Sequence, residues 1–217
     1  MTKFIDQNYK YIEQIIDKQT QERLKNYIFY AKETTFHFSQ YTSWSNIERM
    51  NKSLQGQDHL LPFIDKAKEH PQFYHVFYGK NDNLKDIYQT ESAVECLQVF
   101  KRLESLQPLF LRDFQLYRGK INITTVQPNY PKNNFSGPHI DTDDDNFWSL
   151  IYYINDSDGD THLFLRDRTV KSFTPRQGSA LLFKSNIYHS GSPPHLSTNR
   201  AILNFVFRCQ QQPIHFS

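Results

Sequence analysis

Phe147-Trp148-Ser149-Leu150-Ile151-Tyr152-Tyr153-Ile154-Asn155-Asp156-Ser157-Asp158-Gly159-Asp160-Thr161-His162-Leu163-Phe164-Leu165 is the stretch that decides the fold. Two apolar runs, Phe147–Ile154 and His162–Leu165, flank the turn cluster Asp158-Gly159-Asp160. Short runs rich in aromatic and branched residues, bounded by Asp, Asn and Gly, read as strands. The same texture continues outward. Upstream lie Phe114–Tyr117 and Ile121–Val126, and downstream Val170–Phe173, Ala180–Phe183 and Ala201–Phe207. Pro128, Pro131, Gly137-Pro138, Pro175, Gly178 and Pro193-Pro194 punctuate them. Many short strands with no long helix between them predict a sandwich or barrel.

Before residue 108 the pattern is different. Phe4, Ile5, Tyr9, Ile12 and Ile16, then Leu24, Tyr27 and Ile28, recur at helical spacing. From Ser92 to about Leu106, Ala93, Cys96, Leu97, Phe100 and Leu103 share one helical face, and Ser92 with Glu95 has the form of a capping box. Residues 35–90 are broken by Pro62, Pro71 and Asn81-Asp82-Asn83, with Gln72–Tyr78 as a possible strand. The prediction is an α+β chain forming one compact domain. A mainly helical region, 1–108, packs on a β core, 109–217.

The composition fits a single domain of 217 residues with an aromatic core, since aromatics make up 15% of the chain. Lys plus Arg is 25 against 23 for Asp plus Glu. This near balance gives no electrostatic reason to expect nucleic acid or an anionic membrane as partner. No run reaches the ~20 apolar residues of a membrane helix, and Met1-Thr-Lys-Phe-Ile-Asp lacks the apolar core of a signal peptide. The two cysteines, Cys96 and Cys209, are far apart in sequence and read as buried thiols. A cytoplasmic protein is expected.

His139-Ile140-Asp141 carries the first chemical signal. In an extended segment residues i and i+2 face the same way, so a histidine and a carboxylate converge. His189 follows the apolar run Ala180-Leu181-Leu182-Phe183. Two histidines and one carboxylate form the facial triad of non-haem Fe(II) oxygenases, which leaves open positions on the metal. HxD alone is a weak signal, and an isolated histidine after a strand is usually an ordinary core or loop residue. Arg200 opens the run Ala201–Phe207, where a guanidinium could take a carboxylate in a bidentate pair. A surface arginine at a strand entrance is the plain alternative.

Taken together and in order, these pieces resemble the 2-oxoglutarate/Fe(II) dioxygenase superfamily, and most its prolyl-hydroxylase-like branch. Gly137-Pro138-His139-Ile140-Asp141 resembles the first metal motif, Ile151-Tyr152-Tyr153-Ile154-Asn155 the strand after it, and Gly159-Asp160-Thr161 the following turn. Pro175–Phe183 resembles the run into His189-Ser190-Gly191, and Asn199-Arg200-Ala201 the co-substrate arginine. The likeness runs from about Phe114 to Arg208. It implies a double-stranded β-helix, a jelly-roll or cupin-like barrel with supporting N-terminal helices.

It also implies Fe(II) on His139, Asp141 and His189, with 2-oxoglutarate and O₂ as co-substrates and succinate and CO₂ as co-products. Arg200 would bind the far carboxylate of 2-oxoglutarate. Tyr153 would lie near the co-substrate or be a core aromatic, and Asn204 would share the Arg200 face. The carboxylate of Asp141 favours hydroxylation over halogenation.

Val206 stands where nucleic-acid demethylases of the superfamily carry an arginine. The expected substrate is therefore an amino-acid residue or a small molecule. Two other readings remain: a non-catalytic binding module, and a zinc hydrolase in which Arg200 would have no task. The run Asp143-Asp144-Asp145 reads as a solvated loop, and Asp156-Ser157-Asp158-Gly159-Asp160 as a turn rather than a calcium loop.

Overall fold

The computed structural model describes residues 8–32, 34–43, 52, 54–80, 87–106 and 111–211. Eleven strands are present among them: β1 (Tyr9–Ile12), β2 (His37–Ser39), β3 (Gln72–Lys80), β4 (Ile87–Gln89), β5 (Leu111–Thr125), β6 (Phe147–Tyr153), β7 (Thr161–Phe164), β8 (Val170–Phe173), β9 (Ala180–Lys184), β10 (Tyr188–Gly191) and β11 (Asn199–Gln211). Two α-helices, α1 (Lys18–Tyr30) and α2 (Ala93–Leu106), and a 3-10 helix (Leu61–Lys66) complete them.

The strands form two antiparallel sheets. The larger runs β1-β9-β6-β11-β5-β3-β2, with β4 also paired to β3. The smaller runs β10-β7-β8, and an antiparallel bridge between His139 and His189 continues it past β10. This is the double-stranded β-helix, two sheets closing around a shared interior.

Alternation along the strands divides the large sheet into two environments. Phe205, Leu203, Ile121, Leu150, Trp148 and Leu182 face the helices, where Cys96, Val99, Phe100 and Leu103 of α2 and Leu24 and Ile28 of α1 meet them. The Phe100 ring sits 5.7 Å from Phe205 and 5.2 Å from Phe207, and Phe77 lies 5.6 Å from Phe205. Each buried ring of this kind contributes about 2–3 kcal/mol of transfer free energy. The opposite face turns inward. Ile151, Tyr153, Leu181, Phe183 and Ile202 pack there on Leu163 of the small sheet.

Several expectations need correction. Tyr9–Ile12 is a strand paired to β9, not the first turns of a helix. The helix begins only at Lys18, where Asp17 accepts from the Thr20 amide at 2.9 Å. Edge pairing outcompetes helical spacing in so short a segment. Phe4 and Ile5 lie outside the described residues, as do Asn81-Asp82-Asn83.

Ser92 does not form the expected capping box. Its hydroxyl pairs with the Thr34 hydroxyl at 2.8 Å, while Glu95 accepts from Arg23 and Gln98. The helix itself lies where the spacing predicts. Phe114–Tyr117 and Ile121–Val126 belong to one long strand, because Gly119 continues it. A side chain at Gly119 would place its Cβ 2.3 Å from the Phe77 ring.

Residue 108 is also no seam in the sheet. The 1–108 region supplies the two helices and also four strands, of which β3 pairs with β5 and β1 with β9.

Candidate active site

One cavity of about 210 Å³ opens on the inward face of the large sheet. His139, Asp141, His189 and Arg200 all line it. Its floor is set by strand register. Arg200 pairs with Thr124, Ile202 with Asn122, and Asn204 with Lys120. Thus Arg118, Lys120, Asn122 and Thr124 of β5 stand beside Arg200, Ile202 and Asn204 of β11, all facing the cavity.

The triad is held from three places. His139 and His189 are joined by reciprocal backbone hydrogen bonds of 3.0 and 2.8 Å. Their rings lie 4.4 Å apart between centroids. The Asp141 amide donates to the Ser185 carbonyl at 3.0 Å. Each histidine has its Nδ1 beside the carbonyl two residues earlier: His139 with Gly137 at 3.2 Å, His189 with Ile187 at 3.0 Å. Donation there selects the tautomer whose Nε2 is a lone pair, which is how a metal-binding imidazole is oriented.

Nε2 of His189 comes within 3.7 Å of Asp141 Oδ2. Ser149 donates to the same oxygen at 2.6 Å, and Arg118 Nη2 donates to Oδ1 at 2.5 Å. Burial alone would raise the Asp141 pKa. His189 and Arg118 outweigh it and hold the carboxyl well below its usual range. Burial, with His189 alongside, pushes His139 down to about 3, so its ring is neutral and able to ligate.

The donor set suits Fe(II): two imidazoles and one carboxylate lining a polar cavity. Among the described residues no group of three or more His, Cys, Asp or Glu is drawn in around a common point. Asp141 is instead turned to Arg118 and Ser149. A carboxylate oxygen has two lone pairs, so these bonds leave room for a metal on the same oxygens.

Arg200 is buried, 6% exposed. Its Nε donates to the Gly159 carbonyl at 2.8 Å and its Nη2 to Thr161 Oγ1 at 2.6 Å. Burial lowers its pKa, with Tyr153 and the nearby Asp160 opposing the drop, and it makes no direct ion pair with a carboxylate among the described residues. A buried guanidinium without a direct ion pair is costly, and this one lines a cavity.

The Asp158-Gly159-Asp160 turn builds its seat. Asp158 accepts from the amides of His195, Leu196 and Ser197, fixing the approach to β11. At Gly159 a Cβ would fall 2.5 Å from the Ser192 carbonyl and 3.0 Å from Arg200 Cδ.

Tyr153 is fully buried behind the cavity wall rather than lining it, and its hydroxyl has no hydrogen-bond partner. Burial pushes its pKa up, with Arg200 and Thr161 the nearest groups that oppose the rise. Asn204 faces the cavity with an unpartnered Oδ1, as does Asn122. Every site residue expected from the sequence thus lies in or against one cavity.

Arg118, Lys120 and Ser149 have no part in the sequence reading, and Thr161 enters it only within the Gly159-Asp160-Thr161 turn. The β5 alternation Arg118-x-Lys120-x-Asn122-x-Thr124 was the available signal. His162 and His75 differ from the triad. His162 bonds Ser172 and Ser192, and His75 bonds Thr35 and Thr90, as satisfied structural groups. Asp144 accepts from Asn146 and closes a turn, in keeping with a loop role for the acidic run.

Residues 127–208 match the family model of the 2OG-Fe(II) oxygenase superfamily. That span contains His139, Asp141, His189, Arg200, Tyr153 and Asn204. No curated protein matches the chain in sequence.

Among solved structures, the chain is similar to SnoN, a non-haem α-ketoglutarate-dependent epimerase from nogalamycin biosynthesis. The TM-score is 0.55 at 8% identity, covering 97% of this chain and 83% of that one. It is also similar to a 2OG-Fe(II) oxygenase family oxidoreductase from Burkholderia pseudomallei. Here the TM-score is 0.52 at 11% identity, covering 91% and 96%. At such identities the structural likeness speaks for the fold. Residues 127–208 thus resemble the 2OG-Fe(II) oxygenase superfamily, whose members require Fe(II), 2-oxoglutarate and O₂. No helix among the described residues is long and apolar enough to cross a membrane.

Proposed function

We propose that this chain oxidises a C–H bond of a small-molecule or peptidyl substrate, by hydroxylation, with Fe(II) held by His139, Asp141 and His189. The observation that carries this reading is the pairing of two features in one cavity. Two Nδ1-anchored histidines and Asp141 line it together with a buried arginine that makes no direct ion pair.

Bound there, Fe(II) with 2-oxoglutarate and O₂ supplies an oxidant able to take hydrogen from carbon, leaving succinate and CO₂. The chain's own groups do the positioning. Gly137 and Ile187 carbonyls hold the imidazoles in one tautomer, and Ser149 holds the Asp141 carboxylate. Arg200, kept in place by Gly159 and Thr161, receives the distal carboxylate of 2-oxoglutarate. Tyr153, whose burial Arg200 shares, and Asn204, on the same strand face, have unpartnered polar atoms that could assist it. The apolar wall of Ile151, Ile202 and Ile140 limits water around the reacting atoms.

In this reading residues 109–217 are the catalytic core. Residues 1–108 brace it and, through Thr42, His70 and Gln72, form part of the substrate wall. The free thiols Cys96 and Cys209 support a reducing, cytoplasmic setting. No nucleic acid or membrane is invoked as a partner.

The test is an anaerobic titration of metal-free protein with Fe(II) and then 2-oxoglutarate, followed by the visible charge-transfer band. The band should form in the wild type, vanish in His139→Ala and require far more 2-oxoglutarate in Arg200→Ala. Folded, iron-loaded protein without a band would overturn the reading in favour of a non-catalytic binding barrel.

A further inference from the structure

The cavity holds more positive charge than the reaction's own components neutralise. Arg118, Lys120 and Arg200 line it, while Asp141 is its one lining carboxylate. Glu69, behind the rim, is committed to the amides of Thr42, Ser43 and Gly137. His70 is pushed down to about 4 by burial and is neutral. A surplus of two positive charges results. Fe(II) would add two and the 2-oxoglutarate dianion would remove two, so the surplus persists after both have bound.

The cations are not grouped together. Arg200 pairs across the ladder with Thr124, whereas Lys120 pairs with Asn204. Four residues therefore separate the two poles, or about 13 Å along the strand. A 2-oxoglutarate chain spans roughly 6 Å with carbon–carbon bonds of about 1.5 Å. It cannot satisfy Arg200 and also occupy the far pole.

At that far pole Arg118 bonds Asp141 through one nitrogen and leaves its buried Nε unpartnered. Lys120 has no carboxylate partner among the described residues. Its ammonium lies over the Tyr74 ring at 4.7 Å. Burial, with Arg118 beside it, pulls its pKa down to about 8, the mark of a cation short of counter-charge. Asn122, between the poles, and Asn204, level with Lys120 and 7% exposed, aim unpartnered amide oxygens into the cavity.

We propose that Arg118 and Lys120 form a second anion site, across the triad from Arg200, which receives the carboxylate of a small organic or amino acid as primary substrate. The proposal rests on the oxygenase reading above and deepens it by naming the substrate class. The cavity, about 210 Å³ and shared with the co-substrate, favours a small acid over a chain segment. A carboxylate anchored beside Asp141 would hold the substrate's carbon skeleton next to the metal position, as a charge-assisted clamp requires.

The probe is acetate, with acetamide as its neutral isostere. Full-length protein is loaded with Mn(II), saturated with 2-oxoglutarate, and the relaxation of the probe's methyl protons is followed by NMR. Acetate should show saturable enhancement and acetamide none. Lys120→Met and Arg118→Met should each weaken acetate about tenfold. Lys120 makes no bond to Asp141, so its variant keeps the test valid should Arg118→Met disturb the triad.

Equal enhancement by acetate and acetamide, absence of acetate binding, or acetate binding unchanged in Lys120→Met would overturn the proposal. Triglycine binding as well as acetate would overturn the small-acid assignment in favour of a peptide terminus. Calorimetric binding of 2-oxoglutarate to the same samples separates the two levels of argument. If it binds and acetate does not, only the second anion site fails. If 2-oxoglutarate itself does not bind, the oxygenase site assignment fails as well.

Discussion

Arg200→Met separates a ligand-binding arginine from a structural one. The guanidinium makes two hydrogen bonds to the protein, to Gly159 and Thr161, and has no carboxylate partner among the described residues. Their loss costs about 1.5 kcal/mol each at the low end for a charged donor. Relief of the buried charge returns several kcal/mol. Metal-loaded Arg200→Met should therefore melt at the wild-type temperature or above it.

Binding should change in the opposite direction. Two charge-assisted hydrogen bonds to a carboxylate are worth about 3 kcal/mol together at the low end. This corresponds to roughly a hundredfold in Kd. At 2-oxoglutarate a hundredfold above the wild-type Kd, the ligand stabilises the wild type by about 2.7 kcal/mol. For a domain of this size that is a rise of about 5–10 °C. The variant, at a concentration equal to its own Kd, gains only about 0.4 kcal/mol, or roughly 1 °C.

Thermal melts of the Mn(II)-loaded protein with and without 2-oxoglutarate measure both quantities. Equal ligand-induced shifts in the two proteins would remove Arg200 from the co-substrate site. A ligand-free variant that melts more than about 8 °C lower would make it a structural arginine.

Gly159→Ala should weaken 2-oxoglutarate about tenfold and cost 1–3 kcal/mol of stability, because the new Cβ meets the Ser192 carbonyl and displaces Arg200; calorimetry and melts report the two effects. Tyr153→Phe deletes a buried hydroxyl without a partner, so stability should hold or rise by about 1 kcal/mol. The same change should weaken 2-oxoglutarate by a similar energy in a direct titration, and unchanged affinity would leave Tyr153 a core aromatic only. Ser149→Ala removes the hydroxyl that holds Asp141 and should reduce Fe(II) affinity 10–100-fold in an anaerobic metal titration.

Asp158 gives a pH dependence. Burial opposes it, but amides of Ser197, Leu196 and His195 hold its pKa down at about 2, against an ordinary 3.8. A depressed folded-state pKa contributes stability that is fully present above 3.8 and lost as pH falls towards 2. The stability gap between wild type and Asp158→Asn, from urea melts, should be constant above pH 5 and close between pH 4 and 2.

The sequence was most legible where a single element determines the outcome. Phe147–Ile154, Val170–Phe173 and Ala180–Phe183 carry their own strand pattern and lie as strands within a residue of those limits. Ala93, Cys96, Phe100 and Leu103 share the buried helical face that their spacing implies. What depended on a distant partner was harder to read. Tyr9–Ile12 is a strand only because β9 offers an edge to it. Ser92 loses its capping role to Thr34, 58 residues away. The triad and Arg200 were legible for a different reason: their chemistry constrains residue type and order even where the local pattern is mute. Arg118 and Lys120 carried no such constraint. Two cations in a polar strand read as a solvated face until the register of β5 against β11 turns them inward.

That register also explains why one chain supports two chemistries on a single sheet. On β5 and β11 the residues at even positions, from Lys120 and Asn122 to Arg200 and Asn204, face the cavity, while Ile121, Leu203 and Phe205 at odd positions face the helices. A one-residue slip would bury the cations against Phe100 and expose the aromatic core to the metal site. The opposing demands of the two faces therefore reinforce the same alignment. Gly119 closes the account of this strand. It sits between the two proposed anion-binding cations, and any side chain there would collide with Phe77 on the helix-covered face. Packing on one side of the sheet thus fixes where Arg118 and Lys120 stand on the other. Substitution at Gly119 is a route by which a core change, with no contact to the cavity, would alter substrate binding.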